Sequence, residues 1–473
     1  MKKIYIILIA IALPFLFSAV QDTQYIILGW NDLGMHCANK DFSKIAILPP
    51  YNNLKTQVIL KGDASSFPQV VTSGLSVTYE VPGNTYSVGK TNFWSYSNAL
   101  FGVTLAPNIG LTGAALSGNM AATGNVFEVF GVPLTPHPDT DLINQHPYQL
   151  ALMKVFDQNN NLLASTQNVI PVSNEISCVS SGCHSSEQDI LDSHETVSGF
   201  NINGPNLCAS CHADNALGTT GTPGTPNLSY AIHRRHQSMT NNCYKCHPGV
   251  NTNCFRDTMF AAGMTCQSCH GSVQNVASTI AAGRQPWLQE PTCGAVNCHG
   301  SNYAEEPNLL FRQSKGHGGL FCSACHGSPH AIVPTVQPND NLQNLTLQGY
   351  TGQLNKCVVC HGVNPSSPGP HGAFPTDIEQ LTDDYNGLSD LKQNYPNPAS
   401  EMTVIPFTIG NRGKYRIEAF DSNGKRIALM VSRDFQKGSY QTTFNTSFLA
   451  NGVYILSLSS DNFHDYKRML ISR

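Results

Sequence analysis

The chain has 473 residues, more than one hydrophobic core normally supports, so we expect about two to four domains. Charged residues make up only 12% of the sequence, against about a quarter in an ordinary globular protein, and this composition suits a loop-rich exported protein. The net charge is −4 and no basic block occurs, so nucleic acid is not an expected partner.

The N-terminus predicts a secretory signal peptide over residues 1–20. Lys2 and Lys3 precede an apolar run, Ile4 to Phe17, and small residues follow it. The run is shorter than the roughly 20 apolar residues that a membrane span needs. We therefore expect cleavage rather than anchoring, and we see no later segment that is long and apolar enough to cross a membrane.

Residues 22–172 predict an N-terminal β domain. Ser76–Val81 alternates between apolar and polar residues, as a half-buried strand does. Gln149–Phe156 and Leu162–Val172 flank a turn at Asp157–Asn161, which predicts a hairpin. A small β-sandwich is the expected form.

Fourteen of the 16 cysteines form seven pairs, and each pair is followed at once by a histidine. Five pairs have the spacing C-x-x-C-H, and two carry four residues between the cysteines, in CVSSGCH and CGAVNCH. The paired cysteines are Cys178 and Cys183, Cys208 and Cys211, Cys243 and Cys246, Cys266 and Cys269, Cys293 and Cys298, Cys322 and Cys325, and Cys357 and Cys360. The histidines are His184, His212, His247, His270, His299, His326 and His361.

C-x-x-C-H is the attachment signal for c-type haem. The two thiols form thioethers with the porphyrin vinyl groups, and the histidine becomes the proximal ligand of the iron. Two extra residues between the thiols can loop outward without changing that chemistry. The sequence therefore predicts seven covalent haem c groups as cofactors.

Other uses of paired cysteines explain the pattern less well. Structural zinc needs no histidine directly after the second cysteine. A thioredoxin-like motif occurs once, in a βαβ context. Iron–sulfur ligation leaves the histidines unexplained.

Residues 173–376 contain all seven motifs and predict a heptahaem domain. So little polypeptide cannot build a usual core around that many macrocycles. We expect the haems to supply the apolar interior, with short helices and loops wrapped around them and with close contact between haems.

The same segment contains six further histidines, and we predict that they are distal ligands on the far side of the irons: His194, His233, His236, His317, His330 and His371. A single histidine in a loop normally faces solvent, but six in a haem-packed segment favour ligation. His233 and His236 have the spacing of one helical turn, so a helix would hold both on one side.

A seventh distal ligand is then needed, and His36 is the best candidate. A position in the core or on the surface of the β domain is the alternative for this side chain. Met35, Met259 or Met264 could also complete an iron and raise its potential. His137 and His146 each precede a proline and are weaker candidates.

Cys37 and Cys254 lie outside the motifs. In an oxidising compartment they are expected to form a disulfide that ties the N-terminal region to the haem region. Two buried thiols are the alternative.

Residues 385–473 contain no cysteine and alternate as β-strands do. Lys414–Ala419 precedes a turn at Asp421–Gly424, and Val453–Leu458 follows a second Asn-Gly turn. The expected form is a small β-sandwich.

Several C-terminal motifs resemble, in order, the type IX secretion C-terminal sorting domain. They are LKQNYPNPAS (Leu391–Ser400), TVIPFTI (Thr403–Ile409), YRIEAFDSNGKRI (Tyr415–Ile427), NGVYILSL (Asn451–Leu458) and KRMLI (Lys467–Ile471). The resemblance implies the type IX secretion machinery as a partner, export across both membranes of a Gram-negative cell, and release or surface attachment. A carbohydrate-binding or adhesion module is the alternative.

The haem region resembles extracellular and periplasmic multihaem cytochromes, in its motifs rather than over its length. Gly29–Cys37 and Leu48–Asn52 also look like the start of some such cytochromes. The predicted fold is multidomain: an N-terminal all-β domain, a loop-rich multihaem domain with short helices and little regular secondary structure, and a small C-terminal β-sandwich.

If each iron has two protein ligands, substrates cannot reach the metal, and the protein can only transfer electrons. We therefore expect extracellular electron transfer, with other redox proteins or extracellular electron acceptors as partners, and we predict no catalytic residues. Two alternatives stay open. One is a multihaem reductase or oxidase with one open iron, although no C-x-x-C-K motif, frequent in nitrite enzymes, occurs. The other is self-association into a cytochrome filament, in which a neighbouring copy supplies a ligand.

Overall fold

The computed structural model describes residues 24–472, except residues 175, 177, 250–251, 297, 301–304, 366–368, 373–377, 382–386, 401 and 447. The predicted signal peptide lies outside the described residues. No helix in the described part of the chain has the length and apolar character needed to span a bilayer.

The N-terminal segment forms two β-sheets that pack face to face. Its strands are β1 Tyr25–Trp30, β2 His36–Cys37, β3 Ile45–Ala46, β4 Asn52–Leu60, β5 Gln69–Val70, β6 Leu75–Glu80, β7 Ser117–Asn119, β8 Ala121–Thr123, β9 Val126–Val132, β10 Tyr148–Asp157 and β11 Leu162–Ser173. One sheet has the order β1-β4-β9-β8, with β5 on β4, and the other has the order β2-β11-β10-β6-β7. The predicted hairpin is present as antiparallel β10 and β11.

Apolar side chains from both sheets fill the space between them. Leu54 and Val58 of β4 meet Val77 of β6 and Met153 of β10 in one buried cluster. Gly29 of β1 lies so close to this layer that an added Cβ would contact the sulfur and terminal methyl of Met153. The alternation read from the sequence therefore produces a sandwich core.

The expectation of an all-β domain missed one helix, α1 Phe93–Phe101. The helix buries Phe93 and Leu100, and Phe93 packs edge-on against Phe42 with ring centres 5.2 Å apart. It ends at Gly102, whose φ of +70° suits a glycine C-cap. Burial of this aromatic face stabilises the helix within the β domain.

The cysteine-rich segment consists of short helices and loops. Its regular elements are α2 Glu187–Asp192, β12 Asn206–Leu207, α3 Cys208–Cys211, α4 Leu228–His236, α5 Thr258–Ala261, α6 Cys266–His270, α7 Val273–Ala281, α8 Cys322–His326, α9 Leu342–Gln348 and α10 Val358–His361. Short 3₁₀ turns occur at Cys243–Lys245, His317–Gly319, Pro338–Asn341 and Pro370–Gly372. Strand β12 pairs in parallel with β3, so this segment joins the β domain through backbone hydrogen bonds as well.

The outer face of the β1–β4 sheet supports the cysteine-rich segment. Leu28 and Trp30 of β1 pack against Phe321 and Ala324 around α8. The Phe321 N–H donates to Oε1 of Gln57 on β4 at 3.0 Å. One sheet of the sandwich thus has two apolar faces, one toward its own core and one toward the helices.

A buried ion pair fixes the same junction. Nε and Nη2 of Arg256 donate to the two carboxylate oxygens of Asp340 at 2.7 and 2.9 Å. Nη1 of Arg256 donates to the Gly34 carbonyl at 2.7 Å, and the guanidinium stacks over Tyr148 at 4.7 Å. The Arg256 and Asp340 side chains are only 3% and 6% exposed. This arginine therefore joins two loops of the cysteine-rich segment to the β domain.

The C-terminal segment forms a second pair of β-sheets. Its strands are β13 Ile378–Leu381, β14 Asp390–Leu391, β15 Met402–Ile409, β16 Gly413–Phe420, β17 Arg426–Phe435, β18 Gly438–Asn445, β19 Gly452–Ser460 and β20 Phe463–Ile471. The sheet orders are β13-β18-β15-β14 and β17-β16-β19-β20. The predicted turn is present, with Oδ1 of Asp421 accepting the N–H groups of Asn423 and Lys425 at 2.9 Å. The chain is thus multidomain and mostly β with few helices, and its C-terminal sheets are sandwich-like.

We predict that Asp340→Asn lowers the free energy of unfolding by about 3–5 kcal/mol, because it leaves a buried guanidinium without its counter-charge. The matched control is Glu80→Gln, which breaks the half-exposed Lys154–Glu80 pair and should cost less than about 1 kcal/mol. Urea unfolding followed by circular dichroism measures both. Equal effects of the two substitutions would contradict a supporting role for Arg256.

Candidate functional site

Each cysteine motif closes a single helical turn. In the short motifs the histidine N–H donates to the carbonyl of the first cysteine, at 3.0 Å from His212 to Cys208 and at 2.8 Å from His247 to Cys243. This bond brings both thiols and the imidazole to one small patch of the turn. The C-x-x-C-H pattern thus forms one turn that brings its three side chains together.

The two longer motifs close in the same way. The His184 N–H donates to Cys178 O at 3.0 Å, and the His299 N–H donates to Cys293 O at 3.1 Å. Within the first of these motifs Gly182 takes a φ of +76°. In both, the histidine N–H still returns to the carbonyl of the first cysteine, across a loop two residues longer than in the short motifs.

Six motif histidines each face one of the six predicted distal histidines. The pairs, with the distance between ring centres, are His184–His236 at 6.2 Å, His212–His194 at 6.4 Å, His247–His233 at 5.9 Å, His270–His330 at 6.1 Å, His326–His371 at 6.1 Å and His361–His317 at 5.9 Å. The fold brings every one of these pairs together from separate parts of the segment.

This spacing fits two imidazoles on one metal ion. A metal–imidazole bond is about 2 Å long and the ring centre lies about 1 Å behind the nitrogen, so two axial imidazoles have centres about 6 Å apart. Aromatic rings in direct contact also have centres about 4.5–7 Å apart, so the case for a metal depends on the thiols next to each pair. Beside each pair stands a cysteine motif with its two thiols, so the residues present fit a covalently attached haem.

Backbone carbonyls orient several of these rings. Nδ1 of His194, His233 and His236 lies 3.0, 2.7 and 2.8 Å from the carbonyl oxygen four residues earlier. A carbonyl can only accept, so Nδ1 carries the proton and Nε2 stays available to bind a metal. Nδ1 of the motif histidine His212 contacts the Pro226 carbonyl at 2.8 Å in the same way. Such outer contacts fix the tautomer and the ring orientation of metal-binding histidines.

Backbone conformation also marks two distal positions. His330 and His371 have φ values of +63° and +56°. Left-handed backbone costs a non-glycine residue about 1 kcal/mol or more and persists where the surroundings impose it. Placing these two imidazoles therefore raises the conformational energy of the backbone at His330 and His371.

Burial favours the neutral form of several of the paired imidazoles. It lowers the pKa of His247 to about 4, with further lowering from the nearby His233 and His270. Burial likewise lowers the pKa of His330 to about 4. A neutral imidazole is the form that donates its lone pair to a metal.

The remaining histidines have other surroundings. His299, the seventh motif histidine, is solvent-exposed. Nε2 of His36 lies 3.3 Å from Oδ1 of Asp32, and His36 is buried in the β domain. His36 as the seventh distal ligand stays a prediction. His137 and His146 contact Asn144 and Asp141 within their own loop.

The expected disulfide between Cys37 and Cys254 is not formed, because the structure has a thiol at each position. Cys37 lies on β2, in register with Ser173 of β11. Cys254 instead lies near Cys266. Burial raises the pKa of Cys254 to about 11, and the Cys266 thiol makes the next largest contribution. Nη1 of Arg256 donates to the Cys254 carbonyl at 2.9 Å.

Sequence reasoning missed Glu187, which lies between the first two motifs. Burial and then Asp41 raise its pKa to about 7, although the Ile45 backbone N–H lowers it. It acts electrostatically on both Cys178 and Cys208. Arg256 and Asp340 were missed as well, because no local pattern signals a partner 84 positions away.

Among the described residues, no cluster of three or more His, Cys, Asp or Glu side chains could hold a metal ion alone. Each of the pairs described above could supply two ligands to an iron whose other four ligands would come from a porphyrin.

Residues 393–472 match the family described as the secretion system C-terminal sorting domain. The chain therefore carries a type IX secretion sorting domain, as its sequence predicts, and this domain indicates export by that route to a secreted or cell-surface location. No curated protein matches the chain.

We predict that Glu187→Gln stabilises the protein above about pH 7 and leaves its stability unchanged near pH 4. A raised carboxyl pKa means that the unfolded state loses its proton first, so the native chain loses stability as pH rises from about 4.5 to about 7. Melting temperatures of the two proteins between pH 4 and pH 8 measure the effect. A difference that is constant with pH would contradict it.

Proposed function

We propose that this protein transfers electrons outside the cell through seven covalently bound haem c groups, at least six of them with two histidine ligands. The observation that carries the proposal is the set of six histidine pairs with ring centres 5.9–6.4 Å apart, each built on a haem-attachment motif.

The paired cysteines would hold each group through thioether bonds, and the motif histidine and its facing partner would hold the iron. When bound, haem c supplies an iron that exchanges one electron at a time, and two imidazole ligands favour a comparatively low potential. Covalent attachment would keep each haem at a fixed position along the chain.

The histidine pairs also explain why a carrier is favoured over an enzyme. Where imidazoles occupy both axial positions, a small molecule has no open site on the metal. The Nδ1 contacts of His194, His233 and His236 hold these rings in place. No paired-carboxylate or nucleophile arrangement was predicted from the sequence.

The β domain would act as a scaffold and a cover. Phe321 and Ala324 of α8 pack against Leu28 and Trp30, and the Gly62 N–H donates to the Cys360 carbonyl at 2.8 Å. These contacts exclude water from one side of the last two motifs. With less water around it, an oxidised iron with its extra positive charge would have a higher free energy.

Export through the sorting domain sets the compartment in which electrons would be exchanged. The partners we propose are redox proteins or extracellular electron acceptors at or beyond the cell surface. The expected arrangement is a carrier that accepts electrons at one end of the haem row and donates them at the other.

The test is the haem content of the purified exported protein and of cysteine variants. Pyridine haemochrome absorbance and intact mass should give seven haems for the wild type and six for the double variant Cys243→Ser, Cys246→Ser, because each motif binds one group. The matched control is Cys254→Ser, which removes a cysteine outside the motifs and should leave seven. A wild type without covalent haem, or a control that loses one, would overturn the proposal.

A further inference from the structure

We infer that the first three attachment sites are ordered second, first, third along the electron path, that the fourth adjoins the third, and that the fifth, sixth and seventh adjoin one another in sequence order. The sites are numbered I to VII by the order of their motifs along the chain. Site I is Cys178–His184, site II is Cys208–His212 and site III is Cys243–His247. The inferred order places site I between sites II and III. This inference rests on the proposed function and adds the direction of the electron path.

Helix α4 joins sites I and III. Its two histidines, His233 and His236, face different motifs: His236 faces His184 of site I, and His233 faces His247 of site III. Residues three apart on a helix lie about 5–6 Å from each other. One helical turn therefore supplies the distal ligand to both sites, which makes these sites direct neighbours.

Site II lies on the other side of site I. Burial raises the pKa of Cys208 to about 12, and the next largest contribution comes from Cys178 of site I. Glu187, which follows the first motif, contributes to this shift as well. The distal histidine of site II, His194, follows the same α2 helix that Glu187 begins. Site II is therefore tied to the chain of site I.

Site IV adjoins site III. Nε2 of Gln267, inside the fourth motif, donates to Sγ of Cys243 at 3.7 Å. The thiols of Cys243 and Cys266 also hydrogen-bond to each other. Sites III and IV are consequently in side-chain contact.

Site V adjoins site VI. Oε1 of Glu305 accepts the Cys293 N–H of site V at 2.7 Å, and the Ser314 carbonyl accepts the Cys322 N–H of site VI at 3.0 Å. The Glu306 N–H donates to the Ser314 hydroxyl at 3.2 Å, which connects these two contacts. The Lys315 N–H donates to Glu306 Oε2 at 2.8 Å, which joins the loops after the fifth motif and before the sixth.

Sites VI and VII also adjoin each other. The Leu354 N–H, just before the seventh motif, donates to the Cys325 carbonyl of the sixth at 3.1 Å. Leu354 and Cys360 pack against the same buried cluster as Ala324 of the sixth motif. At site VII, His361 lies 6.4 Å from the ring of the exposed Phe67.

The test uses the holoprotein and compares His194→Met at site II with His236→Met at site I. A methionine ligand raises the reduction potential of its own iron. That iron is then reduced earlier in the titration, and its changed charge shifts the midpoint potentials of the nearest haems most, because Coulomb energy falls with distance. Redox titrations followed by paramagnetic NMR give the midpoint of each haem, and each variant identifies its own signals. His317→Met at site VII is the matched control.

We expect His236→Met to shift sites II and III together, and His194→Met to shift site I at least about twice as much as site III. The control should shift site VI and leave sites I to III unchanged. If His194→Met shifts sites I and III equally while His236→Met leaves site III unchanged, the row follows the sequence and the inference is overturned.

The wild-type titration provides a second measurement that needs no variant. The interaction between the haems of sites I and III must exceed that between sites II and III, and the reverse order would overturn the inference. A protein with seven haems in the wrong order leaves the proposed function intact, whereas a protein without haem removes both.

Discussion

Two imidazoles that share one iron must face each other with ring centres about 6 Å apart, and six histidine pairs of the cysteine-rich segment have this spacing. The short helices cannot hold this spacing alone, since α4 and the motif turns are too small to be stable by themselves. Their positions depend on contacts to neighbouring turns, on carbonyl acceptors for Nδ1 of His233 and His236, and on left-handed backbone at His330 and His371.

The β domain provides the rigidity that the cysteine-rich segment lacks. Its first sheet is apolar on both faces, so Leu54 and Val58 build the sandwich core while Leu28 and Trp30 receive α8. The Arg256–Asp340 ion pair closes the same junction in a buried setting, where loss of one partner is costly. The sandwich therefore acts on the proposed electron path by holding its last sites in place.

The sequence predicts the local features of this arrangement but few of its long-range contacts. Local spacing predicts the motifs and the hairpin of β10 and β11, because each is a pattern within a few residues, whereas the six distal histidines were predicted from their number within the haem segment. Pairing depends on tertiary contacts: His194 follows the first motif, yet it faces His212 of the second. The Cys37–Cys254 disulfide was wrong for the same reason, since the strand register of Cys37 and the surroundings of Cys254 come from distant segments. Helix α1 was missed because its stability comes from burial of Phe93 rather than from a strong local pattern.

Carbon monoxide binding to the dithionite-reduced holoprotein tests most directly whether the histidine pairs ligate iron. Doubly ligated irons do not bind the gas readily, so we predict a Soret shift for at most one of the seven expected haems in the wild type. His330→Ala should add one carbon monoxide site, whereas His146→Ala, which alters a histidine in a surface loop, should add none. Binding to two or more haems of the wild type, or an equal response of the two variants, would contradict the account.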